Sequence, residues 1–132
     1  MTTLAYLASP YSKLNIDAAH EDACLIAGRL LRAGIFVFSP IAHCHSIAFH
    51  SGIDPLDHKF WLPICDVMMA HCDTLIVAHM PSWEESKGIA IEIEYFEKAG
   101  KPIFDLEVDE LRMTKRRPSM IVPDPKPLLK QI

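Results

Sequence analysis

Apolar residues along this chain follow two spacings that take turns. Residues 4–8 form a short apolar run with a tyrosine in it, stopped by Ser9-Pro10, and such a run between turn residues predicts a buried strand. Residues 16–31 place Ile16, Ala19, Ala23, Ile26, Ala27, Leu30 and Leu31 three or four apart, which predicts a helix with one apolar stripe and Gly34 as its stop. Residues 35–38 read as a second strand, ended by Ser39-Pro40. Residues 39–58 carry His, Ser and Gly without a clear period and close on Asp54-Pro55, so an irregular loop of the functional kind is expected there. The alternation then resumes with a helix over about 59–70, a strand over 74–78, a loop over 79–85, a helix running to Lys98 with Gly100 behind it, and a strand over 102–106.

Strands that alternate with helices predict an α/β fold. The expected architecture is a three-layer, open, mostly parallel sheet of four to five strands, flavodoxin-like or Rossmann-like, with helices on both faces. Ligands of such sheets sit beyond the carboxyl ends of the strands, which here means residues 9–13, 39–46 and 79–88.

With 132 residues, 50% of them hydrophobic and 23% charged, the chain has the material for one self-sufficient core. No run of 18 apolar residues occurs, so no membrane span is expected, and no basic residue precedes the first apolar run as a signal peptide requires. Cys24, Cys44, Cys65 and Cys72 lack C-x-x-C spacing and read as reduced thiols of a cytoplasmic protein. The net charge of −4 is unevenly placed: from Arg112 onward six basic residues face one acid, leaving a body of −9 and a tail of +5. An acidic body argues against a nucleic-acid groove. The expected division is a domain at 1–111 and a basic, Pro-rich arm at 112–132 that is extended, with Met120-Ile121-Val122 available as an edge strand.

The stretch from Ser86 to Lys98 carries the most chemistry. At 100° per residue Ile89, Ile93 and Phe96 share one face, and Lys87, Ile91, Glu94 and Lys98 share the other. Glu94 is then a surface residue paired with Lys98, and Glu97 pairs likewise with Lys101. Glu92 falls beside the apolar stripe with Phe96 at the position where a basic partner would stand, and Gly88 opens space one turn below it. A carboxylate so placed must find donors or shift its pKa upward. The plain alternative is an ordinary carboxylate at a helix edge.

The order and spacing of Tyr6-Leu7-Ala8-Ser9-Pro10-Tyr11, of Ser86-x-Gly88-x-x-x-Glu92 and of Ala99-Gly100-Lys101-Pro102-Ile103, with Asp66 and Asp73 before the third strand, resemble the nucleoside 2-deoxyribosyltransferase-like superfamily over about residues 3–106. The segment Pro81-Ser82-Trp83-Glu84-Glu85-Ser86-Lys87-Gly88-Ile89 is similar to a small bacterial and phage branch of it. The resemblance implies Glu92 as the nucleophile that forms a glycosyl ester with a deoxyribose, Tyr6 as the residue orienting it, and Asp66 as a third catalytic-pocket residue. The substrate site is expected at Ser9, Pro10, Tyr11, Ser12, Lys13, Ser86 and Gly88, with Pro40 and a base- or sugar-contacting His43 from the loop after the second strand. Ser86 stands where relatives acting on free nucleosides commonly carry aspartate and where 5′-monophosphate glycosidases carry serine, which favours a nucleotide. Those glycosidases also have an arginine in the first loop, where this chain has only Ser12 and Lys13.

The expected function is therefore cleavage or transfer at the N-glycosidic bond of a deoxynucleoside or its 5′-monophosphate, with no cofactor and no metal, in a homo-oligomer that shares neither membrane nor nucleic acid as a partner. The alternative is a sensor that binds a nucleotide or nucleotide sugar in the same cleft without turnover. A third reading makes His43, Cys44, His45, His50 and His58 a metal site. No zinc-ribbon spacing and no H-E-x-x-H helix supports it, and no P-loop, G-x-G-x-x-G or G-x-S-x-G motif points to another enzyme class.

Overall fold

The computed structural model describes residues 2–11 and 15–117. Its elements run β1 (Ala5–Ala8), α1 (Ile16–Arg32), β2 (Val37–Phe38), α2 (Pro40–Ser51), α3 (His58–His71), β3 (Thr74–Ala78), α4 (Lys87–Lys98), β4 (Ile103–Glu107) and β5 (Arg112–Lys115), with one 3-10 turn at Trp83–Glu85. The sheet order is β2-β1-β3-β4-β5, parallel except for β5, which runs antiparallel to β4. This is the α/β sheet the alternation predicts. Among the described residues no helix is long and apolar enough to cross a membrane.

The period of two along β1 and β3 divides the core. Ala5, Leu7, Ile76 and Ala78 face one side, where Ile26 and Leu30 of α1 cover them. Tyr6, Ala8, Leu75 and Val77 face the other, covered by Met69 of α3 and by Ile89 and Phe96 of α4. Tyr6 and Glu92 are thereby brought to the same side of the sheet. Between β1 and β3 the chain's crossovers part in opposite directions, and a crevice opens there at the carboxyl ends of the strands.

Three local expectations need correction. Residues 40–51 are helical, not irregular: Ser39 caps Ala42 N at 3.1 Å, Pro40 occupies the first turn, and Gly52 ends the helix at φ 77°. Lys101 does not pair with Glu97, because Gly100 at φ 70° turns the chain off the helix axis and aims the ammonium at the C-terminus of α3. There it donates to the carbonyls of Met69, Ala70 and Cys72 at 2.8–3.1 Å. Residues 112–115 of the expected arm belong to the sheet, where Arg116 locks the edge by a two-toothed bond to Asp105 at 2.8 and 2.9 Å. The rest of the arm from 118, including 120–122, lies outside the described residues.

Candidate active site

The end of β1, α2, α3 and the start of α4 enclose a cleft of about 430 Å³, within the range of small-molecule sites. Ser9, Pro10 and Tyr11 enter it from β1, Pro40, Ile41, Cys44 and His45 from α2, and Trp61, Leu62, Cys65 and Met69 from α3. Ser86, Gly88, Ile91 and Glu92 close it from α4. Most of this wall is apolar.

The floor holds Glu92. Burial strips water from the carboxyl and pushes its pKa from the ordinary 4.5 up to about 8, the Tyr6 hydroxyl that faces it pulls the other way and is outweighed, and charge at Cys65 adds to the rise. Tyr6 is fully buried between Phe38 and Phe96, and burial followed by the charge of Glu92 holds its phenol far above the ordinary range. The Glu92 carboxyl and the Cys65 sulfur both face its Oη, yet no acceptor stands there in full hydrogen-bond geometry. Ser9 Oγ is likewise buried without a partner among the described residues. Cys44 and Cys65 meet thiol to thiol: the hydrogen bond from Cys44 pulls Cys65 down, and the same bond followed by burial pushes Cys44 up.

At the start of α4, Ser86 Oγ accepts from Ile89 N at 3.2 Å, which leaves its own O–H free to point outward. Gly88 has an ordinary helical backbone, and a Cβ built on it would meet only Ser86 Oγ at 3.8 Å. Glycine there keeps the cleft open rather than permitting a turn.

On the opposite wall Tyr11 Oη stands 2.6 Å from His45 Nδ1, and His45 Nε2 lies 3.2 Å from Asp17 Oδ1 at the start of α1. His20 stacks on His45 with ring centroids 4.3 Å apart. Burial, then charge on Asp17, Cys44 and Asp54, raises the Tyr11 pKa.

A family model described as a domain of unknown function, DUF1937, matches residues 3–108. The chain belongs to the DUF1937 family. No curated protein matches it.

In this DUF1937 domain the expected residues divide. Glu92, Ser9, Pro10, Tyr11, Pro40, Ser86 and Gly88 line the cleft, and Tyr6 lies behind Glu92. Asp66 is exposed on α3 and outside the cleft lining, where its neighbour Cys65 stands instead. His43 is exposed against Phe38, and Cys44 and His45 take the place expected of it. Ser12 and Lys13 lie outside the described residues. Among the described residues no three His, Cys, Asp or Glu side chains converge as a metal site. Cys65 and Trp61 are cleft residues that sequence reasoning missed, and Cys44 and His45, expected only as metal ligands, stand there instead as partners of Cys65 and of Asp17 at the surface.

Proposed function

We propose that this domain cleaves or transfers at the N-glycosidic bond of a deoxynucleoside or its 5′-monophosphate through a glycosyl ester on Glu92, as its resemblance to the nucleoside 2-deoxyribosyltransferase-like superfamily implies. The observation that carries the reading is one desolvated carboxyl, displaced to about 8, at the floor of a largely apolar cleft. Attack at C1′ passes through a transition state with positive charge on the sugar, and a carboxylate stripped of water gains most from meeting that charge. The ester forms as the base leaves, and water or a second base resolves it. Tyr6 steadies the ionised form of Glu92. The Trp61 indole is tied by its N–H to the Asp54 carbonyl at 3.0 Å, leaving its ring as an apolar surface for a base. The free O–H of Ser86 and the unpartnered Ser9 hydroxyl suit the sugar's 5′ side.

The enzyme so read works in the cytoplasm as a homo-oligomer without cofactor. The four free cysteines fit a reducing compartment, and Phe60, Ile64 and Val67 along α3 offer an apolar face to a second copy.

One observation favours the sensor instead. A carboxyl at about 8 is mostly neutral at pH 7, and a neutral carboxyl donates to a bound ligand rather than attacking it. Free-base release from deoxynucleosides and their 5′-monophosphates, by wild type, Glu92→Gln and Glu94→Gln, separates the two. Glu94 is the control because it is exposed and paired with Lys98 at 2.9 Å. Loss of release in Glu92→Gln alone supports the enzyme, whereas nucleotide binding without release by wild type refutes it.

A further inference from the structure

Besides the Tyr6–Glu92 pair and the Cys44–Cys65 contact, the described residues of the cleft hold a chain of polar side chains. It runs from Tyr11 in the cleft, through His45, to Asp17 at the surface. The relative exposures are 9% for the His45 side chain and 85% for Asp17, so a buried imidazole joins the cleft to solvent. Asp17 as carboxylate only accepts, which places a proton on His45 Nε2 and leaves Nδ1 to exchange a proton with Tyr11 Oη. His20, stacked on His45 and held by Ser46 Oγ at 3.3 Å, fixes the ring plane, so the imidazole cannot swing away from either partner. The other titratable groups acting on this end of the cleft are Cys44 and Asp54, both of which bear on Tyr11.

We infer that Tyr11, His45 and Asp17 form the proton relay that delivers a proton to the departing base, with Tyr11 as the catalytic acid and His45 and Asp17 as positioning residues behind it. The inference rests on Glu92 as nucleophile. In the first step a Glu92 carboxylate oxygen bonds to C1′, the C1′–N bond breaks, and its electron pair goes to the base nitrogen. His45 enters the cycle with a proton on each ring nitrogen; the base nitrogen takes the Tyr11 proton, Tyr11 takes the Nδ1 proton of His45, and neutral His45 remains bonded through Nε2–H to Asp17. In the second step water bonds to C1′ and the ester bond to Glu92 breaks. The proton lost by that water returns through Tyr11 to His45 Nδ1, which restores the starting charge. One group thus serves as acid and then as base on the same face of the sugar, as a double displacement requires.

The test compares two leaving groups on the same 2-deoxyribosyl substrate: the natural base, which needs a proton to depart, and 4-nitrophenol, which departs as a stable anion. Wild type, Tyr11→Phe, His45→Gln and Asp17→Asn are measured on both, with far-ultraviolet circular dichroism confirming the fold. Read in the first turnover, before ester hydrolysis limits the rate, Tyr11→Phe and His45→Gln are expected to slow base release roughly 100-fold or more, with the nitrophenol burst held within about fivefold of wild type. Asp17→Asn, an exposed substitution that leaves the core untouched, is expected to slow base release alone by about tenfold. Wild-type rates on both substrates in all three variants, or equal losses on both, overturn the relay while leaving the Glu92 reading in place. Wild type that releases neither leaving group overturns the Glu92 reading and the relay with it.

Discussion

Glu92→Gln should stabilise the protein, by an amount that grows as pH rises from 4.5 to 8. The folded state holds this carboxyl at about 8 against an ordinary 4.5, so between those values the folded chain keeps a proton that the unfolded chain has lost. For an acid raised by folding, stability is fullest below 4.5, falls as pH climbs, and is lost once pH passes 8. At roughly 1.4 kcal/mol per pH unit the loss is on the order of 4 to 5 kcal/mol, a large part of the stability of a domain this size. Glutamine is neutral throughout and suffers none of it. The assay is urea unfolding of wild type and Glu92→Gln at pH 5 and pH 9, at one protein concentration, comparing midpoints at a shared slope. A constant offset from the amide cancels between the two pH values, so the change in the difference isolates the carboxyl. Cys65 faces the same carboxyl and is pulled downward by Cys44, so the comparison is repeated on a Cys65→Ser background. A difference that moves by less than about 1 kcal/mol between pH 5 and pH 9 refutes the claim that Glu92 is desolvated.

The pH dependence of turnover should have the opposite sign. With the nitrophenyl substrate, whose leaving group needs no proton, release rises with pH and levels off above about 8 as Glu92 ionises, and a rate that falls through 8 refutes the nucleophile. Tyr6→Phe removes a buried hydroxyl with no partner, so stability stays within about 1 kcal/mol of wild type or rises, while base release drops about tenfold or more. Gly88→Ala meets only Ser86 Oγ at 3.8 Å in the protein, so the melting temperature holds or rises while KM for the substrate increases. Arg116→Ala should cost about 1–3 kcal/mol by freeing β5 from Asp105. Burial opposes ionisation of Asp105, but Arg116 and His79 outweigh it and hold the carboxyl below its ordinary 3.8, so this contribution is present above that value and fades on further acidification.

The helices and strands that bury a full stripe were legible because the stripe is itself the signal: Ala19, Ala23, Ile26 and Leu30 on α1, and the alternation of β1. α2 was not, because its buried residues are only Pro40, His45 and Ala48, too few and too polar to show a period. Its ends were in plain view, with Ser39-Pro40 before it and Gly52 after it, and capping chemistry was the signal to use. The site was half legible for a related reason. Glu92, Ser86 and Gly88 lie on one helix, so their spacing alone sets their faces. Asp66 and His43 missed by a single residue each, since one step on a helix is a turn of about 100° and carries Cys65 or Cys44 into the cleft in their place. The pairing of His45 was out of reach, because its partners Tyr11 and Asp17 stand 34 and 28 residues away and meet it only when α1 and α2 pack.

Several unfavourable features of this fold gather at one place. Glu92 is a carboxyl in a setting that resists its charge, Tyr6 Oη and Ser9 Oγ are buried without partners among the described residues, and Ser82, which also lines the cleft, sits at φ 71° without being glycine. A fold under pressure only to be stable would replace such residues one by one, for instance phenylalanine for Tyr6 or glutamine for Glu92. Their concentration at the carboxyl end of β1, where the topology opens a crevice, is accounted for if a bound ligand supplies the missing partners. The deoxyribosyl group proposed above would do so economically. Its hydroxyls can meet Ser9, and its developing positive charge can meet Glu92, which in turn gives Tyr6 a full acceptor. A ligand that binds should therefore raise stability by more than its apolar contacts predict. Ligand-dependent unfolding of wild type against Tyr6→Phe measures that surplus, because the variant has no orphaned phenol for the ligand to relieve. Equal stabilisation of the two proteins by a saturating nucleoside would show that the orphaned hydroxyl has no part in binding.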